Sequence, residues 1–212
     1  MQSKKFLIIL LLVLFNSCII KSIHPFYISQ AITFEKSFIG VWNDTKNGKW
    51  EITSLKSEFK KDKEPKSQED LKIYNQYKNG YFIKYTENNK EASFIGITFK
   101  INKELFIDFN LFEYNSEKLN SLAKLSVIET HTLAKVDIQK NGTVNLKWLD
   151  EDVITDLLEK EQLHLKYEKI GIQENLILTG SSDQLFKFLK KYSESDIKDK
   201  WKTSNECVLK KE

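Results

Sequence analysis

The chain contains no arginine, so all 33 of its basic side chains are lysines. Arginine supplies the planar, bidentate contacts that favour phosphate and nucleic-acid recognition. Its absence, together with a near-neutral charge of +3 over 212 residues, argues against a nucleic acid as a partner. The length suits a single domain that is large enough to bury a hydrophobic core.

Motifs that identify a reaction are missing as well. The sequence has no phosphate-binding loop, no Gly-x-Ser-x-Gly elbow, no His-Glu-x-x-His and no dinucleotide fingerprint. The three histidines, His24, His131 and His164, are far apart, and none has another ligand residue at metal-binding spacing. We therefore predict no enzymatic activity, no metal and no cofactor. Asp108 and Asn110 lie on the polar side of an apolar strand and are expected to face solvent or a wet cavity.

The chain does contain a short apolar run near its N-terminus. Lys4 and Lys5 precede this run, residues 6–15, and Ser17 stands directly before Cys18. A positive start, a short apolar core and a small residue at the cut are typical of a secretory signal peptide. Spanning a bilayer takes about 20 apolar residues, so the run is too short for a transmembrane helix.

The cysteine after the small residue resembles a bacterial lipobox. The resemblance implies that residues 1–17 are a lipoprotein signal peptide, and that the thiol of Cys18 is lipidated and becomes the new N-terminus. Several acyl chains then hold the protein permanently on a membrane. The alternative is ordinary secretion with an unmodified Cys18. If Cys18 is lipidated, Cys207 has no disulfide partner and is predicted to be a small core residue.

The residues that follow Cys18 carry no acidic run. In lipoproteins of bacteria with two membranes, such runs often direct sorting or export to the surface. Their absence favours an outer-membrane protein that faces the periplasm. Loss of Lys4 and Lys5 with the signal peptide lowers the net charge from +3 to +1, which leaves a near-neutral body.

From Phe38 onwards the apolar pattern is that of β-strands. Apolar side chains alternate over 81–85, 93–101 and 105–111, and Asn-rich turns separate these runs. We predict one mainly β domain of the α+β type over residues 38–212, an antiparallel meander that forms a barrel or a strongly curved sheet. A lipidated tether, 18–37, precedes it, and the apolar residues of this tether suggest that it packs against the body.

Other segments are predicted to be loop or helix. Eleven of the 17 residues in 56–72 are charged, which predicts a solvated loop. Two helices are predicted in the C-terminal half: Asp150 caps one over 150–161, and a capping box formed by Ser181 and Gln184 opens the other. A further short helix is expected over 116–125.

The hairpin around Gly142 allows its register to be predicted. One apolar row contains Val136 and Ile138, and the return strand contains Val144 and Leu146. These rows coincide on one face only if the loop has three residues, 140–142, because a two-residue loop would put them on opposite sides. Gly142 is then expected in the left-handed conformation of a bulge.

Gly40-Val41-Trp42, at the start of the first strand, resembles the Gly-x-Trp signature of lipocalins. The resemblance implies a lipocalin-like barrel in which Trp42 closes the floor and Gly40 lets the backbone bend. A late helix followed by a short final strand is similar too. Lipocalins also place an arginine from the last strand over this tryptophan, which this chain cannot do.

Most of the mature chain also resembles an uncharacterised family of bacterial envelope lipoproteins. The segments that carry the resemblance, including a His-Pro-x-Tyr motif, are 22–27, 40–42, 48–51, 130–133 and 146–149. The family has no assigned activity, so the resemblance implies location and fold. It also makes His24 and His131 candidate site residues of unknown role.

Two functions from different classes remain open. In the first, the protein is a membrane-anchored carrier whose many aromatic rings line a barrel interior that holds a small apolar or lipid-like ligand, with Trp42 and Trp50 as candidate contacts. In the second, it is a structural or assembly lipoprotein that docks another envelope protein through 56–72 or the helices beyond residue 150. A deep apolar pocket with a polar mouth favours the first, and an exposed apolar patch over a helix favours the second.

Overall fold

The computed structural model describes residues 19–61, 67–114 and 127–212. The predicted signal peptide, Cys18 and the predicted helix at 116–125 lie outside these residues. The described strands are β1 (Lys21–Ser22), β2 (Gly40–Asp44), β3 (Lys49–Ser54), β4 (Tyr81–Glu87), β5 (Lys90–Ile101), β6 (Glu104–Tyr114), β7 (His131–Ile138), β8 (Val144–Trp148), β9 (Tyr167–Ile170), β10 (Asn175–Leu178) and β11 (Glu206–Lys211). The described α-helices are α1 (Leu55–Lys61), α2 (Gln68–Tyr77), α3 (Glu151–Glu159) and α4 (Ser182–Glu194).

Eight of these strands close an antiparallel barrel. The strands β2 to β8 follow one another around it in chain order, and β11 pairs with both β8 and β2 to complete the circle. Closure leaves the barrel without unpaired edges. The predicted mainly β architecture with a lipocalin-like barrel and two helices in the C-terminal half is confirmed.

Large apolar side chains fill the barrel interior. They include Phe38, Trp42, Trp50, Tyr81, Ile107, Phe109, Leu146 and Leu209. Cys207 lies among them and is 4% exposed. Burial, followed by the nearby charge of Asp44, raises the pKa of the Cys207 thiol to about 12, so the thiol stays protonated and unreactive at neutral pH. The barrel interior is therefore a packed hydrophobic core, to which residues from Phe38 to Leu209 contribute.

A lysine occupies the place over Trp42 for which the lipocalin resemblance implies an arginine. The Nζ atom of Lys211, in the last strand, lies 5.2 Å from the centre of the Trp42 ring. The indole N–H donates to the carbonyl oxygen of Phe38 at 2.9 Å. Gly40 has φ +143°, and a Cβ there would lie 2.6 Å from Cε of Lys211. A cation over the ring face thus closes this end of the barrel without arginine.

Three strands extend the sheet beyond the barrel. The short strand β1 pairs with the start of β7 on one side and runs parallel to β10 on the other, and β9 forms the outer edge. Ile20 and Phe26 are fully buried. The described part of the predicted tether, residues 19–37, therefore contributes a strand and core side chains and packs against the body of the protein.

The predicted loop at 56–72 contains helices instead. Helix α1 covers its first part, and α2 begins inside it after a capping box in which Ser67 and Asp70 satisfy each other's backbone N–H groups. Most of the charged side chains described in α1 and α2 are exposed, which is compatible with a helix on the protein surface. Leu55 packs with Ile95 and Ile97 on the outer face of the barrel, and this apolar contact holds the α1–α2 pair in place.

The helices of the C-terminal half follow the predicted pattern. Asp150 caps α3 by accepting a hydrogen bond from the Asp152 N–H at 3.0 Å. The buried face of α4 consists of Leu185, Phe188, Leu189 and Tyr192. Together with Phe26, Phe106 and Leu133, this face forms a second core outside the barrel. None of the described helices is both long and apolar enough to cross a bilayer.

The predicted hairpin register is confirmed. Val136 pairs with Leu146 and Ile138 with Val144, and Gly142 has φ +83°. The N–H of Gln139 donates to the Thr143 carbonyl at 2.9 Å, which leaves three residues in the loop.

Replacing Gly142 by alanine is expected to lower the free energy of unfolding by about 1 kcal/mol, because alanine disfavours positive φ. No atom lies within 4 Å of a Cβ built there, so a clash does not contribute. Urea denaturation measures the change. Lys140→Ala, in the same loop, is the control and should leave stability nearly unchanged; equal stability of the two variants would contradict the left-handed bulge.

Candidate functional site

The two candidate tryptophans are core residues of the barrel. Trp50 is 6% exposed, and its indole N–H donates to Oδ2 of Asp44 at 2.8 Å. Its ring lies 4.7 Å from that of Tyr85 and 6.5 Å from that of Trp148, centre to centre. Since the N–H group of Trp42 is also paired within the protein, a ligand in the interior would have to displace this packing.

Strands β6 and β7 bring His131 together with a buried carboxylate on the outer face of the barrel. Asn110 is the cross-strand partner of His131, so Asp108, two residues earlier, lies on the same face. Oδ1 of Asp108 is 2.7 Å from Nδ1 of His131. A carboxylate only accepts, so Nδ1–H donates. Asp108 is 1% exposed, so it does not face solvent, which was one of the two surroundings expected for it.

The same carboxylate holds the N-terminal segment. The backbone N–H of Phe26 donates to Oδ2 of Asp108 at 2.9 Å. Burial first, and the charge of Asp108 second, raise the pKa of the phenols of Tyr27 and Tyr77, so both rings stay neutral at physiological pH. Asp108 thus joins the barrel, His131 and the chain entering from the N-terminus. We call Asp108, His131 and the Phe26 N–H the clasp.

An Asp–His pair is also the orienting half of hydrolase triads, in which the histidine contacts a serine hydroxyl. Ser22 lies opposite His131 in the β1–β7 pairing. Its hydroxyl is fully buried and donates to the carbonyl oxygen of His24. His24 itself is exposed and takes part through its backbone. The structure therefore links the two candidate residues through Ser22, which lies opposite His131 and donates to the backbone of His24. These contacts join the N-terminal segment to strand β7.

A groove of about 850 Å³ lies beside α4, away from the clasp. Gln184, Lys187, Lys191 and Ser195 follow one another at spacings of three or four residues, so they form one stripe along the helix. The opposite wall is the chain that leaves α3, residues 161–167. Glu161 has φ +55°, which turns the chain out of the helix and across α4.

The groove has an apolar floor and a basic rim. Its apolar lining residues are Leu157, Leu158, Leu163, Leu165, Phe188, Tyr192 and Ile197. Lys166, Lys187, Lys191 and the exposed His164 surround them. None of these three lysines forms an ion pair with a described residue, and Glu161 is the sole acidic side chain among the described residues that line the groove. We call this site the lysine groove.

A smaller cavity of about 240 Å³ lies under the α1–α2 pair. Its lining is mostly apolar and includes Phe59, Tyr74, Phe82 and Phe112. Phe112 is 48% exposed. Within the described residues, no three His, Cys, Asp or Glu side chains come together as a metal site.

Sequence reasoning identified the buried face of α4 but not the lysine groove. A signal was present, since Lys187 and Lys191 flank that face at a spacing of four. The path of residues 161–167 has no local signature, however, and without it the groove has only one wall. No protein-family model, no curated protein and no solved structure matches this chain.

Proposed function

We propose that the protein is a lipid-anchored envelope protein that binds a small lipid-like anion in the lysine groove, and that it faces the periplasm from the outer membrane. The observation that carries the proposal is the combination of an apolar floor with lysines that have no described carboxylate partner. The barrel then serves as a rigid scaffold, and the ligand site lies outside it.

The volume of the groove supports a small-molecule ligand. Ligand sites typically measure roughly 300–1,000 Å³ and are mostly apolar with a few placed polar groups, and the groove measures about 850 Å³. Each methylene that leaves water for such a floor contributes about 0.8 kcal/mol. An acyl chain over Leu163, Leu165 and Phe188 would therefore supply most of the affinity.

The rim supports an anionic end on that chain. Lys187 and Lys191 are one helical turn apart on the same side of α4, and Lys166 stands on the other wall. An ammonium group and a carboxylate or phosphate form a charge-assisted hydrogen bond, which is stronger than a neutral one. The chemistry shared by a free fatty acid and a lysophospholipid, one chain with one anionic group, fits this arrangement.

Reversing the charge of Lys187 and Lys191 is expected to weaken ligand binding about tenfold or more, because loss of one charge-assisted hydrogen bond costs about 1.5–3 kcal/mol. Binding of a fluorescent fatty acid to the soluble protein that starts at Ile19 measures the affinity. Lys190→Glu is the matched control, since Lys190 is an exposed neighbour on α4 that does not line the groove.

Competition separates the two sources of the ligand. Displacement of the probe by oleate but not by lysophosphatidylglycerol points to free fatty acids, and the reverse points to lysophospholipids. Absence of saturable binding, or an equal loss in Lys190→Glu and in the Lys187→Glu, Lys191→Glu double variant, would contradict the proposal. Native mass spectrometry of the protein taken from its own periplasm would then show whether any other molecule is bound.

A further inference from the structure

The β9–β10 hairpin carries a fully exposed apolar residue at its tip. Residues 171–174 connect the strands, and the Glu174 N–H donates to the Gly171 carbonyl at 3.2 Å. Gly171 and Glu174 both have positive φ, +71° and +51°, so the turn is tight. Between them Ile172 has a relative exposure of 104%, and Ile170, at the end of β9, is 39% exposed. Neither exposure is explained by packing within the chain.

This tip lies at the same level as the start of the described chain. Strand β1 runs parallel to β10, with Lys21 opposite Ile177. Two residues earlier in each strand are Ile19 and Asn175, and Asn175 is the first residue after the turn. Parallel strands rise equally, by about 3.3 Å per residue, so continuing this register places Ile19 at the level of the base of the turn.

The chain is already fixed at this point. Ile19 forms a β-bridge with Asp150, the Ile20 N–H donates to the Leu149 carbonyl at 3.1 Å, and Ile20 is fully buried. Cys18 is the next residue towards the N-terminus, and consecutive Cα atoms are only about 3.8 Å apart. A lipid on Cys18 would therefore be attached to the folded domain without a flexible spacer.

We propose that the β9–β10 tip is a second membrane contact, in which Ile172 enters the lipid interface beside the acyl chains of Cys18. The inference rests on the proposed lipid anchor. With the anchor inserted and no spacer, the neighbouring turn is held at the headgroups, where an apolar side chain gains by leaving water. Lys21 is exposed on the adjoining strand β1 and can meet anionic headgroups, whereas Nζ of Lys169 lies 4.0 Å from the carboxylate of Glu174. Anchor and tip together fix the orientation of the barrel on the membrane.

A polarity-sensitive dye attached at Ile172→Cys in the lipidated full protein tests the contact. The thiol of Cys18 is blocked by lipid and that of Cys207 is buried, so the dye reacts at the new position. The protein is reconstituted into vesicles of phosphatidylethanolamine and phosphatidylglycerol, with and without nitroxide lipids. Asn89→Cys is the matched control, because the β4–β5 turn is exposed and lies at the opposite end of the barrel.

The expected result is a shift of dye emission to shorter wavelength and quenching by nitroxide lipids at position 172 but not at position 89. Vesicle-bound protein whose dye at 172 behaves as in buffer would overturn the tip contact and leave the anchor intact. Absence of an acyl mass on Cys18 would overturn both. A shift that occurs without vesicles and grows with protein concentration would show a second copy of the chain at the tip, and would also overturn the inference.

Discussion

Replacement of Cys18 by serine is expected to move the protein from the membrane fraction to the soluble fraction of the periplasm. Serine cannot form the thioether that the proposed lipid anchor requires, and no described helix is long and apolar enough to cross a bilayer. One acyl chain holds a protein only marginally, whereas two or more hold it stably, so the change should be nearly complete. Cell fractionation followed by immunoblotting measures it.

Cys207→Ser is the control for the loss of a thiol. Cys207 is buried in the barrel core, so its replacement should leave the protein on the membrane even if it lowers stability. Mass spectrometry of the N-terminal peptide should show acyl groups on Cys18 of the wild-type protein. A Cys18→Ser protein that still sediments with membranes would refute the lipobox interpretation.

Replacement of Asp108 by alanine is expected to lower the free energy of unfolding by about 3 kcal/mol, because it leaves two buried donors without an acceptor. These donors are the Phe26 N–H and Nδ1 of His131. Chemical denaturation measures the loss. The N-terminal segment should also become accessible to protease before the barrel does, since the clasp is its polar link to β6.

Two further variants separate the clasp from a general effect of losing a carboxylate. Asp156→Ala removes a half-exposed carboxylate whose partner is Lys160, at 2.7 Å, and should cost no more than about 0.5 kcal/mol. In a double-mutant cycle, His131→Ala should cost much less in the Asp108→Ala background than in the wild type. Independent, additive losses would mean that the two side chains do not act together.

The elements that sequence predicted well are those set by local spacing. The rows of Val136, Ile138, Val144 and Leu146 allow only one loop length, and the spacing of three or four between apolar residues in α4 leaves one helix face to bury. The same reasoning misjudged 56–72, where the number of charges outweighed a local signal, the capping box of Ser67 and Asp70. Charge indicates exposure, and an exposed segment can still be helical.

The clasp and the lysine groove could not be predicted because their partners are distant in the chain. Asp108 alternates along β6 like any solvent-facing residue, but it is buried and accepts a hydrogen bond from the N–H of Phe26, 82 residues earlier. His131 was a candidate from its motif alone, without an indication of which group it meets. Non-local contacts of this kind follow from topology, which the strand pattern indicated only in outline.

The position of β1 also bears on the order in which the protein would fold during the proposed export. If residues 1–17 act as the proposed signal peptide, the residues that follow them leave the translocation channel first, yet Lys21 pairs with Thr132 in β7 and Ile177 in β10. Such distant pairs close late, because a long loop must be ordered before any contact compensates for it. On this proposal the N-terminal segment stays unpaired until most of the chain has crossed the membrane, and the proposed lipidation of Cys18 takes place on a chain that is not yet folded.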